Sequence, residues 1–181
     1  MKTGAQGKRG QRSGYSMLDL AIGIMIVVVA VGSVSSSLTS GFSLNRSNRE
    51  RSRAAEHADR IIEGLLATDF EEVFARYNAT AADDPVDGVS PGATFDVPGL
   101  TPQNGDADGI VGEIDFPGDG VSLREDTVDR GLGMPRDLNG DGDELDDAAA
   151  DYLVLPVRLR VAWQSTGGPQ QIELVTTVAR R

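Results

Sequence analysis

An uncharged stretch near the N-terminus constrains this chain more than any other feature. Between Asp19 and Arg46 no residue carries a charge. From Leu20 to Val34 every residue except Ser33 is apolar or glycine. A helical crossing of a bilayer needs about 20 residues. Because lipid offers the backbone no hydrogen bonds, a single segment of this kind must be an α-helix there, despite its many β-branched residues. The sequence therefore predicts one membrane-length helix.

The residues ahead of this stretch are basic and end at a glycine. The leader has no acid, and its basic residues are Lys2, Lys8, Arg9 and Arg12. Gly14 is followed by the aromatic Tyr15, and Asp19 is the fifth residue counted from Tyr15. A carboxylate near the start of a membrane-length segment is expensive, and such residues are usually functional. We therefore predict a functional role for Asp19.

Two other interpretations of this segment remain open. A secretory signal peptide also has a basic start and an apolar core, and it is cleaved after that core. The small residues from Val34 to Ser37 could supply such a site. The segment could also be a plain single-pass anchor. Neither interpretation requires Asp19 or the Gly14–Tyr15 junction.

The order of glycine, aromatic residue and acid at the fifth position resembles the class III signal of type IV pilins and pseudopilins. The resemblance implies cleavage between Gly14 and Tyr15 by a prepilin peptidase, methylation of the new Tyr15 amine, and assembly of the apolar helices into a filament. It implies that Asp19 pairs with the cationic N-terminus of a neighbouring subunit, where an unpaired charge is penalised. The chain departs from the family in having Asp instead of the usual Glu, and Tyr instead of the usual Phe.

The resemblance also implies where the protein is found. It places the leader in the cytoplasm, one helix in the inner membrane, and the remainder in the periplasm before the subunit enters a filament or reaches the cell surface. Charge alone does not set this orientation, because basic residues flank the segment on both sides. The implied partners are other pilin or pseudopilin subunits, the prepilin peptidase and the inner membrane.

Charge and cysteine content exclude several classes of function. The chain of 181 residues has a net charge of −11, and residues 83–151 carry nineteen acids against three arginines. Nucleic-acid binding needs a cationic surface, so no nucleic-acid partner is expected. The chain has no cysteine, which excludes disulfides and thiol chemistry. The single histidine, His57, lies in a helical pattern without a nucleophile beside it, and we expect no enzymatic activity.

Apolar spacing predicts how the helix continues beyond the membrane segment. Residues recur at intervals of three and four, which is typical of an amphipathic helix ending near Leu66: Ala54, Ala58, Ile61, Ile62, Leu65 and Leu66. We expect this stripe to pack on the protein's own sheet. Asp69 is a predicted N-cap for a shorter helix through Tyr77.

The C-terminal part predicts strands. Residues 155–163 and 172–178 alternate apolar and polar side chains on either side of a turn at 164–171, which predicts an antiparallel hairpin. Shorter strands are expected at 93–97 and 112–116. The remainder of 79–151 is rich in Gly, Pro and Asp and predicts a long acidic loop region. The fold class is therefore α+β, a long N-terminal helix on a small antiparallel sheet.

The predicted organisation has four parts. Residues 1–14 form the leader, 15–40 the transmembrane and assembly helix, and 41–78 its amphipathic continuation. Residues 79–181 form a globular β domain with the acidic loops and the C-terminal hairpin. A long helix, a variable middle and a final hairpin is the order of elements in a pilin, which extends the resemblance weakly beyond the N-terminus.

Two segments of the acidic region have the spacing of calcium-binding loops. Oxygen-bearing side chains at positions 1, 3 and 5, with glycine at 6, can wrap a hard cation. The first segment, which also has an acid at position 12, provides Asn104, Asp106, Asp108 and Asp115. It resembles the loops of dockerin modules. The second, which has Ala148 at position 12, provides Asp137, Asn139, Asp141 and Asp143. We expect at least one Ca²⁺, with the first loop contributing more than the second.

These features together predict a minor pilin or pseudopilin, a structural subunit of a type IV pilus or a type II secretion pseudopilus. The alternative is a membrane-anchored, calcium-dependent surface adhesion or binding module. That alternative would not need Gly14 or Asp19.

Overall fold

The computed structural model describes residues 17–85 and 90–180. Gly14 and Tyr15, the predicted processing residues, lie outside the described residues. The elements in chain order are α1 (Met17–Ala67), α2 (Phe70–Tyr77), β1 (Thr94–Phe95), β2 (Gly112–Asp115), β3 (Val154–Ser165) and β4 (Gly168–Ala179). The α+β class is as predicted, and α1 ends one residue beyond the expected Leu66.

The chain divides into two compact units, Met1–Phe42 and Ser43–Arg181. In the described part of the first unit, every residue of α1 is exposed. This helix is long and apolar enough to span a membrane, and none of its most apolar window is buried within the protein. This apolar part of α1 therefore does not contribute to the protein's own core.

The second unit contains one antiparallel sheet with the strand order β1-β2-β3-β4. The long strands β3 and β4 pair along their whole length, with Leu159 opposite Leu174. Along β3 the residues Val157, Leu159 and Val161 are fully buried. Their alternation with polar residues puts one face of the sheet into the core, as a strand with a period of two requires.

The C-terminal half of α1 covers this core through a stripe of buried side chains. Ala54, Ala58 and Leu65 have no exposed surface, and they belong to the same buried cluster as the core residues of β3. Because alanine is small, two turns of the helix can approach their neighbours closely. The prediction that the stripe packs on the protein's own sheet is confirmed, but Leu66 is 55% exposed and does not belong to the stripe.

The C-terminal hairpin is confirmed with a much shorter turn than predicted. Ser165 pairs with Gly168, so the turn consists of Thr166 and Gly167 instead of residues 164–171. The polar residues on both sides of the turn continue the ladder, because its hydrogen bonds come from the backbone and do not require apolar side chains. The two short strands are also shorter than expected, since β1 has two residues and β2 has four.

The helix α2 begins where it was predicted to, but without the predicted side-chain cap. Asp69 occupies the N-cap position, and its side chain makes no capping hydrogen bond. Its carbonyl instead accepts a hydrogen bond from the Glu72 amide at 2.9 Å. Burial of Val73, Phe74 and Tyr77 fixes this helix in place, so a tertiary contact replaces the local cap.

The acidic region between α2 and β3 is mainly irregular, as predicted, but it has apolar anchors of its own. Leu123, Leu138 and Ala148 are fully buried, and Leu132 and Met134 are nearly so. These residues were not foreseen, because isolated apolar residues among Asp and Gly show no periodicity. They attach the loops to the core and so position the acidic side chains described below.

Candidate functional site

Glu125 is a buried acid at the centre of the acidic region. Glu125 has no exposed surface. Its Oε1 accepts hydrogen bonds from the amides of Leu138, at 2.6 Å, and Asn139, at 3.2 Å. Its own amide donates to the Asp146 carbonyl at 3.2 Å, and its carbonyl accepts from the Arg136 amide at 3.3 Å. Glu125 therefore joins three loop segments that are distant in the sequence.

The second carboxylate oxygen of Glu125 lies in a different environment. Oε2 is buried and has no hydrogen-bond partner among the described residues. One carboxylate oxygen each from Glu125, Asp143 and Asp146 lie within 4.8 Å of one another. Asp143 and Asp146 are exposed, so the cluster is closed on the Glu125 side and open to solvent on the other.

The surroundings of Glu125 disfavour its charge. Burial is the main cause that raises the pKa of this carboxyl group, and the nearby Asp146 carboxylate raises it further. The amide hydrogen bonds from Leu138 and Asn139 oppose the shift without cancelling it. The fold thus holds a buried acid against another acid, an arrangement that a bound proton or a cation would relieve.

Arg124 provides some positive charge beside the cluster. Its guanidinium binds the Asp126 carboxylate at 2.9 Å and the Leu145 carbonyl at 2.8 Å. Contact with Asp126 is the main cause that raises the pKa of Arg124, with smaller contributions from Asp147 and Asp146. Because two nitrogens of the Arg124 guanidinium already bind the Asp126 carboxylate, Arg124 only partly neutralises the acids of the cluster.

The second predicted loop lies next to this cluster. Asp137 accepts hydrogen bonds from the amides of Gly140 and Gly142, and Asn139 accepts one from Asp141. Gly140 and Gly142 both have positive φ, at 82° and 101°, which side chains with a Cβ rarely adopt. Of the four predicted ligands in this loop, the structure places Asp143 in the acidic cluster. Asp137, Asn139 and Asp141 accept hydrogen bonds from the loop's own backbone.

The first predicted loop is placed differently. Asn104, Asp106 and Asp108 are exposed. Contact with the Asp108 side chain is the main cause that raises the pKa of Asp106, whereas a hydrogen bond from the Ile110 amide lowers that of Asp108.

Asp115, the predicted closing acid of the first loop, lies in β2 and binds two arginines of β3. Its Oδ2 is 3.2 Å from Arg158 Nε and 2.9 Å from Arg160 Nη2. Its carboxylate already has two cationic partners, so the structure gives no reason for it to turn towards the loop.

Glu125 and Asp146 were not among the predicted ligands. Glu125 lies twelve residues before Asp137, outside any loop spacing, and only the tertiary fold brings it to the cluster. Asp146 lies in a run of acids in which no local pattern distinguishes one member from another. A glutamate followed along the chain by a calcium-type loop was the only available signal, and it is weak.

Asp19, the predicted assembly residue, lies in the first turn of α1. It borders a shallow apolar surface formed by Leu20, Gly23, Ile24, Val27 and Val28. An acid in the first turn of a helix is also favoured by the helix dipole, by about 0.3 to 1 kcal/mol. The position of Asp19 therefore suits a role in helix stability as well as one in assembly, and an experiment must separate the two.

Comparison of the chain with protein-family models, with curated proteins and with solved structures found no match.

Proposed function

We propose that this protein is a minor pilin or pseudopilin, a structural subunit of a type IV pilus or a type II secretion pseudopilus. One observation carries the proposal: a single uninterrupted helix begins as an exposed apolar segment and ends as the core helix of a small antiparallel sheet. A filament subunit needs both halves, because the first packs against other copies and the second holds the globular part.

The continuity of α1 also argues against an ordinary secretory signal. Cleavage near Val34–Ser37 would cut α1 in its middle, where the helix is uninterrupted. The prepilin peptidase would instead cut between Gly14 and Tyr15, ahead of the apolar segment in the sequence, and leave that segment on the mature protein. The new amine at Tyr15 would then meet the Asp19 carboxylate of a neighbouring subunit in the apolar bundle.

The test is to separate insertion from assembly with three variants of Asp19. Asp19→Asn keeps the shape and removes the charge, Asp19→Ala removes both, and Asp19→Glu keeps the charge. We expect all three to insert in the membrane. Only the glutamate variant should enter sheared filaments like the unchanged protein, since a neutral side chain cannot balance the neighbouring amine.

The asparagine variant is the matched control for helix stability. Asparagine still accepts hydrogen bonds at the start of a helix, so a loss of incorporation in Asp19→Asn reports the missing charge. Equal incorporation of the asparagine and unchanged proteins would contradict the pairing role.

The acidic cluster favours a second candidate, a membrane-anchored, calcium-dependent surface adhesion or binding module. Such a module would need an anchor but neither cleavage at Gly14 nor a charge at Asp19. The same three variants distinguish it, because their surface display and binding would be equal.

A further inference from the structure

We infer that Glu125, Asp143 and Asp146 form a binding site for a hard divalent cation, best suited to Ca²⁺, that fastens the acidic loops to the core. This inference does not depend on the filament function, since a cation could stabilise the globular part of any of the candidate proteins. It differs from the two loop sites predicted from sequence, because Glu125 and Asp146 belong to neither loop pattern.

The first argument is the unsatisfied oxygen of Glu125. A buried carboxylate oxygen without a partner is costly, and native proteins rarely leave one unless an ion or water belongs there. Oε1 is already held by the amides of Leu138 and Asn139, so the Glu125 carboxylate cannot rotate without losing both bonds. Oε2 is therefore fixed in place, with the Asp146 carboxylate nearby.

The second argument is the spacing of the three oxygens. Ca²⁺ binds oxygen ligands at about 2.4 Å, so two oxygens on the same ion are at most about 4.8 Å apart. The oxygens of Glu125, Asp143 and Asp146 lie within that distance of one another. Ca²⁺ accepts six to eight oxygens in flexible geometry, and water can supply the rest because Asp143 and Asp146 face solvent.

The third argument is what the site would connect. Asp143 and Asp146 lie on an exposed segment, whereas Glu125 is bonded to Leu138. The Leu138 carbonyl accepts hydrogen bonds from the amides of Leu153, at 2.7 Å, and Val154, at 3.1 Å, at the start of β3. A cation would thus link the exposed acidic segment to the sheet in a chain that has no disulfide.

The experiment uses the full-length protein in detergent. After treatment with a chelator, the melting temperature is measured with and without Ca²⁺, and calorimetric titration gives the affinity. A ligand that binds only the folded state raises its stability, and about a hundredfold excess over Kd gives a rise on the order of 5 to 10 °C. Sodium chloride at matched ionic strength is the control for simple screening of the acids. An equal rise with sodium chloride, or no rise with Ca²⁺, would overturn the inference.

The variants locate the site. Glu125→Gln keeps an oxygen for the amides of Leu138 and Asn139 and removes the buried charge. Without Ca²⁺ it should melt no lower than the unchanged protein, and it should lose the response to Ca²⁺. Asp143→Asn changes an exposed residue and keeps an oxygen for the Leu145 amide, so it should fold, with a Ca²⁺ affinity lower by at least about tenfold.

The matched control is a double variant in the other acidic loop, Asp106→Asn with Asp108→Asn. It removes two exposed charges outside the cluster and should keep the full response to Ca²⁺. If the response is lost in this control and kept in Asp143→Asn and Glu125→Gln, the cation binds at the first loop and the inference is wrong.

Discussion

The hydroxyl of Tyr152 donates a hydrogen bond of 2.6 Å to the carbonyl of Phe70. The same hydroxyl accepts a hydrogen bond from the Phe74 amide at 3.3 Å, and the rings of Tyr152 and Phe70 lie 4.9 Å apart. Inside a regular α-helix this carbonyl and this amide are each other's i to i+4 partners, so the Tyr152 hydroxyl joins that pair as an additional donor and acceptor. Tyr152 therefore attaches the first turn of α2 to the segment before β3.

Tyr152→Phe should destabilise the protein by about 0.5 to 1.5 kcal/mol, because the variant loses the two hydrogen bonds of the hydroxyl while the Phe70 carbonyl and the Phe74 amide keep each other as helical partners. The measurement is urea unfolding of the full chain in detergent, followed by the fluorescence of the single tryptophan, Trp163, which is 1% exposed. Tyr77→Phe is the matched control, since no hydrogen bond of the Tyr77 hydroxyl occurs within the described residues. An equal loss in both variants would show that the hydroxyl of Tyr152 is not the cause.

Glu50 is a buried acid of α1 close to the end of β3. Its Oε1 accepts a hydrogen bond from Arg46 Nε at 2.8 Å. The Ser165 hydroxyl is the main cause that lowers the pKa of Glu50, followed by Arg46, and the Trp163 indole contributes. Glu50 Oε2, Ser165 Oγ and Trp163 Nε1 are all buried, and none has a hydrogen bond of good geometry among the described residues. The side chains of Ser165, Arg46 and Trp163 therefore all favour the charged form of the Glu50 carboxylate.

The stability contributed by Glu50 should depend on pH. Because its pKa in the folded protein lies below the ordinary value of 4.5, the carboxylate stabilises the fold above about pH 4.5. That contribution disappears as the pH falls through the lower, folded pKa. Glu50→Gln should therefore be less stable than the unchanged protein at pH 7, and the difference in unfolding free energy should narrow below about pH 4.

The control for this prediction is Glu63→Gln, an exposed position on the same helix. It should change the unfolding free energy by less than about 0.5 kcal/mol at either pH. A difference between Glu50→Gln and the unchanged protein that is constant from pH 7 to pH 3 would contradict the assigned charge effect.

Gly112 in β2 should not tolerate a side chain. It pairs with Phe95 of β1, and a Cβ added at Gly112 would lie 2.6 Å from the Phe95 carbonyl oxygen and would overlap its ring. Gly112→Ala should cost about 1 to 3 kcal/mol of unfolding free energy, because the strands must separate to admit the methyl group.

Gly167 provides the comparison for this substitution. No atom lies within 4 Å of a Cβ added there, and its φ is not in the left-handed region. Gly167→Ala should be neutral or stabilise by about 0.4 to 1 kcal/mol, because it restricts the unfolded chain. Urea unfolding of both variants tests the pair, and a Gly112→Ala protein as stable as Gly167→Ala would refute the predicted clash.

Periodicity predicted those parts of the fold that repeat. The stripe through Ala54, Ala58 and Leu65 and the alternation along β3 both follow from burial of one face, so a single sequence reveals them. The short turn at Thr166 and Gly167 was missed because the ladder continues through polar residues. Leu66 was wrongly included, because it follows the fully buried Leu65 and so lies about 100° around the helix from it, on the exposed side.

The acidic site shows where local patterns stop being informative. Spacing alone selected Asp143, which the structure places in the cluster, together with Asp115, whose carboxylate binds Arg158 and Arg160. Glu125 could not have been selected, because its burial results from Leu123 and Leu138 anchoring two separate loops. A charge pattern records which residues are available to bind a cation, and only tertiary packing decides which oxygens meet.

Processing at the N-terminus tests the pilin interpretation independently of the globular part. If a prepilin peptidase cuts between Gly14 and Tyr15, the mature protein should begin at Tyr15 and retain all of α1. Gly14→Val should accumulate unprocessed, because the resemblance implies a peptidase that accepts only a very small residue before the cut. Gly14→Ala is the matched control and should be processed at least in part.

Intact-mass measurement of membrane-purified protein, with an added methyl group expected on the Tyr15 amine, decides the outcome. A mature chain that begins after Val34 would identify a secretory signal and remove the basis for filament assembly.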